Sequence, residues 1–273
     1  MTNPLPAYVL GHADQEMARL TRQAAFIDSS TRQFFQEAGI ASGMRVLDVG
    51  SGAGHTAFVV AELVGPTGEV IGTDRATEAV KRAQTNAEAR GLRSVLFRQG
   101  DPSEMVFERP FDAVVGRYVL VFNHDQPQML RRLAKHVRAG GVVLFQEPTM
   151  LVARSLPPVE LYDRCCHWML EGFRLGGSEI DTAYRMHETF CAAGLPAPTM
   201  RMHVPIGGVP GALEWLHMLV GMIRTLLPVI EQHGVATAAE IDIETLAERL
   251  CRDVAASGST VLGRADIAAW SRV

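Results

Sequence analysis

The sequence predicts an α/β protein built on a doubly wound, mostly parallel sheet of seven strands, with an N-terminal helical cap and helical lid insertions. Three observations carry this expectation. From residue 44 to about 146, short β-branched runs alternate with longer amphipathic ones; two further strand-like stretches follow near the C-terminus; and a glycine-rich turn joins the first strand to its helix. With 273 residues, 47% of them hydrophobic and 21% charged, the chain has enough apolar material for a large core.

Taken in order, residues 13–38 read as helical, with Met17, Leu20, Ala24 and Ile27 on one stripe, and are expected to cap the open edge of the site. The strands are expected at 44–49, 69–73, 94–98, 112–115 and 142–146, each apolar enough to be buried on both faces. Between them, 76–90 places Ala76, Ala79, Val80, Ala83 and Ala87 on one helical face and ends at Gly91. A second helix is expected over 125–138, opened by Asp125 and Gln128 at capping-box spacing and stopped at Gly140 and Gly141. Beyond the fifth strand, 155–176 and 182–193 read as helices, 199–206 as a strand, 210–233 and 239–256 as helices, and 265–273 as the last strand. This divides the chain into a cap (1–40), a sheet core (41–150), a helical substrate-side segment (151–195) and the last two strands with a helical insertion at about 208–258 (196–273).

The net charge of −4, with dispersed Lys and Arg, lacks the basic footprint of a nucleic-acid binder. No run reaches the roughly 18 apolar residues that span a bilayer, and MTNPLPAYVLGHADQE has no basic stretch followed by an apolar core, so no membrane partner and a cytoplasmic location are expected. The four cysteines form no CxxC pair and no metal-ligand spacing; they read as free thiols, and no metal site is expected.

The segment VLDVGSGAGHTAFVVAEL places Gly50, Ser51, Gly52 and Gly54 between a strand and a helix. Glycines serve where φ turns positive or where backbone approaches a ligand, and the new helix presents free amides to an anion. The next strand, EVIGTD, ends in Asp74, where a nucleotide-binding unit places the carboxylate that accepts both ribose hydroxyls. The strand after it ends in Gly100 and Asp101; Asp101 either accepts from an adenine amine or caps the turn at Pro102 and Ser103. A dinucleotide fingerprint would require glycine at position 55, where this chain has His55; the spacing is GxGxG, with Asp48 two residues ahead.

With VLDVGSGAG, Asp74 and Gly100–Asp101, the chain resembles the class I S-adenosylmethionine (SAM)-dependent methyltransferases, over roughly residues 8–147 and the closing strand. The resemblance, specifically to the small-molecule and natural-product branch, implies that the glycine turn holds the methionine end of SAM, that Asp74 holds the ribose and that Asp101 holds the adenine, with Arg75, Gly100 and Pro102 as further cofactor-binding residues. It also carries over Arg117, just past the fourth strand, as a contact to the amino-acid moiety, and Tyr8 and Gln23 from the N-terminal segment. The implied reaction is secondary-metabolic methylation of a small acceptor, oxygen ahead of nitrogen or carbon, yielding S-adenosylhomocysteine (SAH).

Methyl transfer from a sulfonium needs positioning above all, and a base only where the acceptor must lose a proton. His124, Glu147, His167 and His12 are the candidates, each also readable as an ordinary capping or core residue. A metal-assisted mechanism would require aspartates at strand ends that instead read GRY and QEP. Trp168, Met169, Phe173, Trp215, Met218 and Met222 in the helical segments suggest an apolar or aromatic acceptor, although such stripes are more often helix core. The same helices are alternatively placed to pair two subunits as a homodimer. Two rival functions share the fold: a SAM-binding enzyme that rearranges its acceptor without methylating it, and a nicotinamide-dependent oxidoreductase, which His55 disfavours.

Overall fold

The computed structural model describes residues 14–273, with side chains from Phe26 onward. By contact density these residues fall into two compact units, the first holding 148–181 and 202–266 with the chain up to Phe26, the second 27–147, 182–201 and 267–273.

The second unit carries the sheet. Strands β1 (Arg45–Val49), β2 (Glu69–Asp74), β3 (Val95–Gln99), β4 (Phe111–Arg117), β5 (Val137–Thr149), β7 (Thr199–His203) and β10 (Ala265–Arg272) lie in the order β3-β2-β1-β4-β5-β10-β7. The neighbours from β3 to β5 all pair in parallel. At the other side Val273 exchanges backbone bonds with Gly140 and Gly141 at the start of β5, so β10 enters antiparallel to β5. The expected seven-stranded, mostly parallel sheet is therefore present.

Both faces are covered, as continuously apolar strands require. On one face Val46, Val70, Ala113, Val115, Val142 and Leu144 pack with Phe34, Phe35 and Ala38 of α1 (Asp14–Ala38) and with Ala57, Val60 and Val64 of α2 (His55–Val64). On the other, Leu47, Ile71, Val114, Val143 and Phe145 pack with Leu130 and Leu133 of α4 (Gln126–Ala134) and Met186 and Phe190 of α6 (Thr182–Ala192). The helix α3 (Thr77–Ala89) buries Ala83 and Ala87 and is followed by Gly91 at φ 68°.

The structure corrects four boundaries. The helix expected to run to residue 138 ends at Ala134, because Val137 pairs with Phe111 and β5 starts there. The helix expected from 155 begins at Glu160: 154–156 forms β6 (Arg154–Leu156), paired with β9 (Thr260–Leu262), and the Ser155 hydroxyl accepts the Val159 amide at 2.8 Å. The strand expected over 199–206 breaks after His203, and Ile206–Gly207 forms β8 against β9. Residues 239–256 make two helices, α8 (Ala238–Ile241) and α9 (Leu246–Ser257), separated where Asp242 adopts φ 43°.

The first unit holds the small sheet β6-β9-β8 and a helical core of α5 (Glu160–Leu175), α7 (Leu213–Gln232) and α9. Trp168, Met169, Trp215 and Met222 are buried in that core, with Phe173 and Met218 packed against it. Trp215 donates to the Tyr162 hydroxyl at 2.9 Å, which donates to the Leu262 carbonyl at 2.6 Å, so both polar tips are satisfied inside an apolar cluster. The expectation that no apolar run is long enough to span a bilayer is corrected by α7, which is so by length and composition. Here eight of its side chains, Trp215 to Ile230, are buried within the unit.

Candidate functional site

The glycine turn and the strand-end residues around it belong to the second unit. Because β1 ends at Val49 and α2 begins at His55, the chain must reverse sharply within five residues. The turn does this with Gly50, Gly52 and Gly54 at φ 64°, 53° and 94°. At Gly54 the need is double: its φ is left-handed, and a Cβ would lie 2.6 Å from the Phe58 ring and 3.0 Å from that of Phe97. Gly52 differs, for a Cβ there would meet no described atom within 4 Å, so its backbone faces open space. Backbone bonds from Ser51 to Thr73 (2.8 Å) and from Gly54 to Ser51 (2.8 Å) hold the turn.

Asp74, at the end of β2, accepts from the Gly52 amide at 3.0 Å and the Ala76 amide at 2.9 Å, one on each oxygen. It ties the turn to the neighbouring strand, and each oxygen keeps a second lone pair for a hydroxyl. Asp101 accepts the Ser103 amide at 2.9 Å and pairs with the Arg75 guanidinium. Burial pushes its carboxyl up, but the bonds from Ser103 and Arg75 outweigh it and hold it below the usual range. Gly100 bonds through its amide to the Asp74 carbonyl at 2.9 Å, and Pro102 is buried beside it.

The register explains what else gathers here. Asp48 lies level with Gly72 on β2 and Val115 on β4, and Val115 with Leu144 on β5. Two residues on, side chains return to the same face of each strand. Asp74, Asp48, Arg117 and Gln146 therefore form one polar row across four adjacent strand ends, above the apolar face that α1 and α2 cover. Helix α1 supplies partners to the row: Arg117 donates to Asp28 at 2.9 Å and to Thr31 at 3.1 Å, and the Thr31 hydroxyl bonds Gln146 Oε1 at 2.9 Å.

Two members of the row are buried without satisfaction. Neither carboxylate oxygen of Asp48 nor the Nε2 of Gln146 has a hydrogen-bond partner among the described residues, and both side chains are fully buried. Burial drives the Asp48 carboxyl up to about 8; the charge of Arg117 and the nearby Ala57 amide, which is not placed to make a full hydrogen bond, offset this only in part, and Asp74 adds to it. His55, at the start of α2, is pushed down by burial and by Arg117, and so stays neutral at pH 7.

The four candidate bases are dispersed. The Glu147 carboxylate is fully buried and accepts three consecutive amides, Val119 at 3.0 Å, Leu120 at 2.8 Å and Val121 at 3.3 Å, pinning the short 3-10 turn Leu120–Phe122 that follows β4. Just before that turn Tyr118 takes a left-handed φ of 60° and its amide bonds the Gln146 carbonyl at 2.8 Å. His124 is exposed in the loop before α4, and His167 is exposed on α5 in the first unit. His12 and Tyr8 lie outside the described residues, as does the side chain of Gln23.

Thr31, Asp28 and Gln146 were missed by sequence reasoning. A signal for Gln146 was present: it stands in phase with Val142 and Leu144, a polar residue where the strand's period demands an apolar one. Asp48 stands likewise in phase with Val46.

A methyltransferase-domain family model matches residues 40–188, more than half of the chain. The chain belongs to that family. This methyltransferase-domain chain is 38% identical over 120 residues to the aklanonic acid methyltransferase DauC of Streptomyces sp. (strain C5), covering 43% of the chain and 54% of DauC. It is 33% identical over 135 residues to the nocamycin O-methyltransferase of Saccharothrix syringae, covering 49% and 44%. It is also 32% identical over 113 residues to an arsenite methyltransferase of Aquipseudomonas alcaligenes, covering 38% and 33%. The matched stretch thus spans about half or less of these relatives' own lengths. Among solved structures, YcgJ of Bacillus subtilis superposes with a TM-score of 0.56 at 22% identity, covering 90% of this chain and 99% of that one, a likeness of fold.

The residues present fit the nucleoside that the family resemblance implies. The open face of Gly52 admits a ligand at the turn, and Asp48 is a buried acceptor that meets no donor among the described residues, a role an amino-acid ammonium would fill.

Proposed function

We propose that the chain is a SAM-dependent methyltransferase acting on a small, apolar or aromatic metabolite, with an oxygen as the acceptor atom. The observation that carries this reading is the open glycine turn with the unsatisfied Asp48 beneath it and Asp74 at its side. Gly50 to Gly54 and Asp48 would hold the amino-acid end of SAM, Asp74 the ribose hydroxyls, and Asp101 with Arg75 the adenine edge. When bound, SAM supplies a sulfonium methyl group with a neutral leaving group. The chain's own part is to fix that group in line with the acceptor and exclude water, effects worth up to about 7–11 kcal/mol when the geometry is ideal.

Where the acceptor must lose a proton, a base is required, and the three amides on Glu147 argue that its carboxylate serves the loop instead. His124, His167 and His12 remain the candidates for that step. Oxygen as the acceptor rests on the nocamycin O-methyltransferase relative, and a small-molecule acceptor on that relative together with the aklanonic acid methyltransferase DauC; the arsenite relative marks the main competing acceptor class.

The reading is tested by incubating the full chain with SAM and a panel of phenols, enols and carboxylic acids, against arsenite, and following SAH release. SAH formed in step with an O-methylated product is the expected result. Conversion of an acceptor without SAH would replace it with the non-methylating alternative, and arsenite turnover alone would overturn the acceptor class.

A further inference from the structure

The polar row places Asp48 where an ionised carboxyl would be hard to keep. Its side chain is fully buried and neither oxygen receives a hydrogen bond among the described residues. An isolated carboxylate in that setting is disfavoured by several kcal/mol, whereas the neutral acid is not. The charged neighbours do not remove the difficulty. From β4, Arg117 faces it, but that guanidinium is engaged by Asp28 and Thr31 of α1. From β2, Asp74 contributes a like charge, and from α2 there are the Ala57 amide and the neutral His55. From β5 comes only the uncharged Gln146. The balance leaves the acid near pH 8 in the ligand-free protein, well above the range of an exposed aspartate.

We propose that uptake of an amino-acid ammonium at the glycine turn is proton-coupled at Asp48: the O–H bond of the neutral acid breaks, the proton passes to solvent, and the carboxylate so formed takes the ammonium as its counter-charge. This rests on the reading of the turn as the site for the methionine end of SAM. Asp48 then acts as a specificity-determining residue, because a nucleoside lacking the amino-acid tail gives it no reason to ionise. The sign of the pH dependence follows. Below pH 8 each ligand must displace a proton, so affinity rises about tenfold per pH unit from 6 to 7 and stops rising near 8, above which loss of the ligand's own ammonium proton works against binding.

The test is calorimetric titration of the full chain with SAH at pH 7 in buffers of different ionisation enthalpy. The slope of observed enthalpy against buffer enthalpy should report close to one proton released per ligand, falling toward zero by pH 9. The same titration with 5′-methylthioadenosine, which lacks the amino-acid tail, should report none. Asp48→Asn should abolish the release with SAH. Should that variant fail to fold, difference infrared spectroscopy of the wild-type chain reads the same event, as loss of a protonated-carboxyl band on adding SAH. SAH binding with buffer-independent enthalpy, or a proton still released by Asp48→Asn, overturns proton coupling while leaving the SAM site standing. No binding of SAH at any pH brings down the SAM reading and this inference with it.

Discussion

At the N-terminal ends of β1, β2 and β4, Arg45, Glu69, Arg109, Asp112 and Arg138 form a network in which each charge meets its opposite. Arg45 and Arg109 share Glu69 at 2.7 and 2.8 Å, while Asp112 accepts the Arg45 amide at 2.7 Å and Arg138 at 2.6 Å. At the C-terminal ends of the same strands and β5, the polar residues are Asp74, Asp48, Arg117 and Gln146, and two of them are buried and incompletely bonded. The carboxyl of Asp112 is held low; that of Asp48 is driven high. One end of the sheet is finished by its own side chains in water. The other stores desolvated groups whose missing partners a ligand can supply, which is the end where open α/β sheets bind ligands.

The sharpest way to break this comparison is at Glu147, which sits at the ligand end yet is satisfied like a residue of the other end. Removing it by Glu147→Ala leaves three backbone amides, two of them buried, without an acceptor. The expected loss is about 3–5 kcal/mol, a fall in Tm on the order of 10 °C. Glu147→Gln, which keeps an acceptor oxygen, should recover most of that loss. Thermal unfolding followed by circular dichroism reads both variants. A Glu147→Gln protein of wild-type stability whose turnover collapses would return Glu147 to the role of base.

A smaller effect is expected at Asp74, which contributes to both the turn and the proposed ribose contact. Asp74→Ala should weaken SAH binding by about 1–3 kcal/mol, through two lost hydroxyl partners and a loosened Gly52 amide. Unchanged affinity by calorimetry would remove Asp74 from the site and leave the contrast between the sheet's ends without its ligand.

How far this contrast was legible in the sequence depends on how local each part is. The glycine turn, Asp74 and Asp101 were legible because a strand ending in glycines or an acid announces its own position. So were Asp125 as the cap of α4, which accepts the Gln128 amide at 3.0 Å, and Gly91 after α3. The row through Arg117 and Gln146 was not, since it exists only once β1, β4 and β5 lie in register and α1 brings Asp28 and Thr31 onto them. The same non-local pairing ended α4 early: residues 135–138 continue a helical pattern, but Val137 is captured by Phe111. The Trp and Met stripes of α5 and α7 read equally as core or pocket from sequence; in the structure Trp168, Met169, Trp215 and Met222 fill the first unit's own core.

The smallest effect is expected at the opposite end of the strands. Asp112 is partly exposed and its charged partner Arg138 is half exposed, so Asp112→Asn, which keeps an acceptor for the Arg45 amide, should cost only about 1 kcal/mol. Burial pushes the Asp112 carboxyl up, but the Arg45 amide and Arg138 outweigh it, so it is held below its unfolded value near 3.9. A depressed carboxyl stabilises the fold above its unfolded pKa and loses that contribution as pH falls through the folded pKa. The gap in Tm between wild type and Asp112→Asn should therefore be present at pH 7, shrink below about pH 4, and narrow in high salt. Asp48 has the reverse sign: its neutral form stabilises at low pH and is lost as pH rises toward 8. A Tm gap at Asp112 that instead widened on acidification would mean that the two ends of the sheet do not differ in the electrostatic sense drawn from their partners.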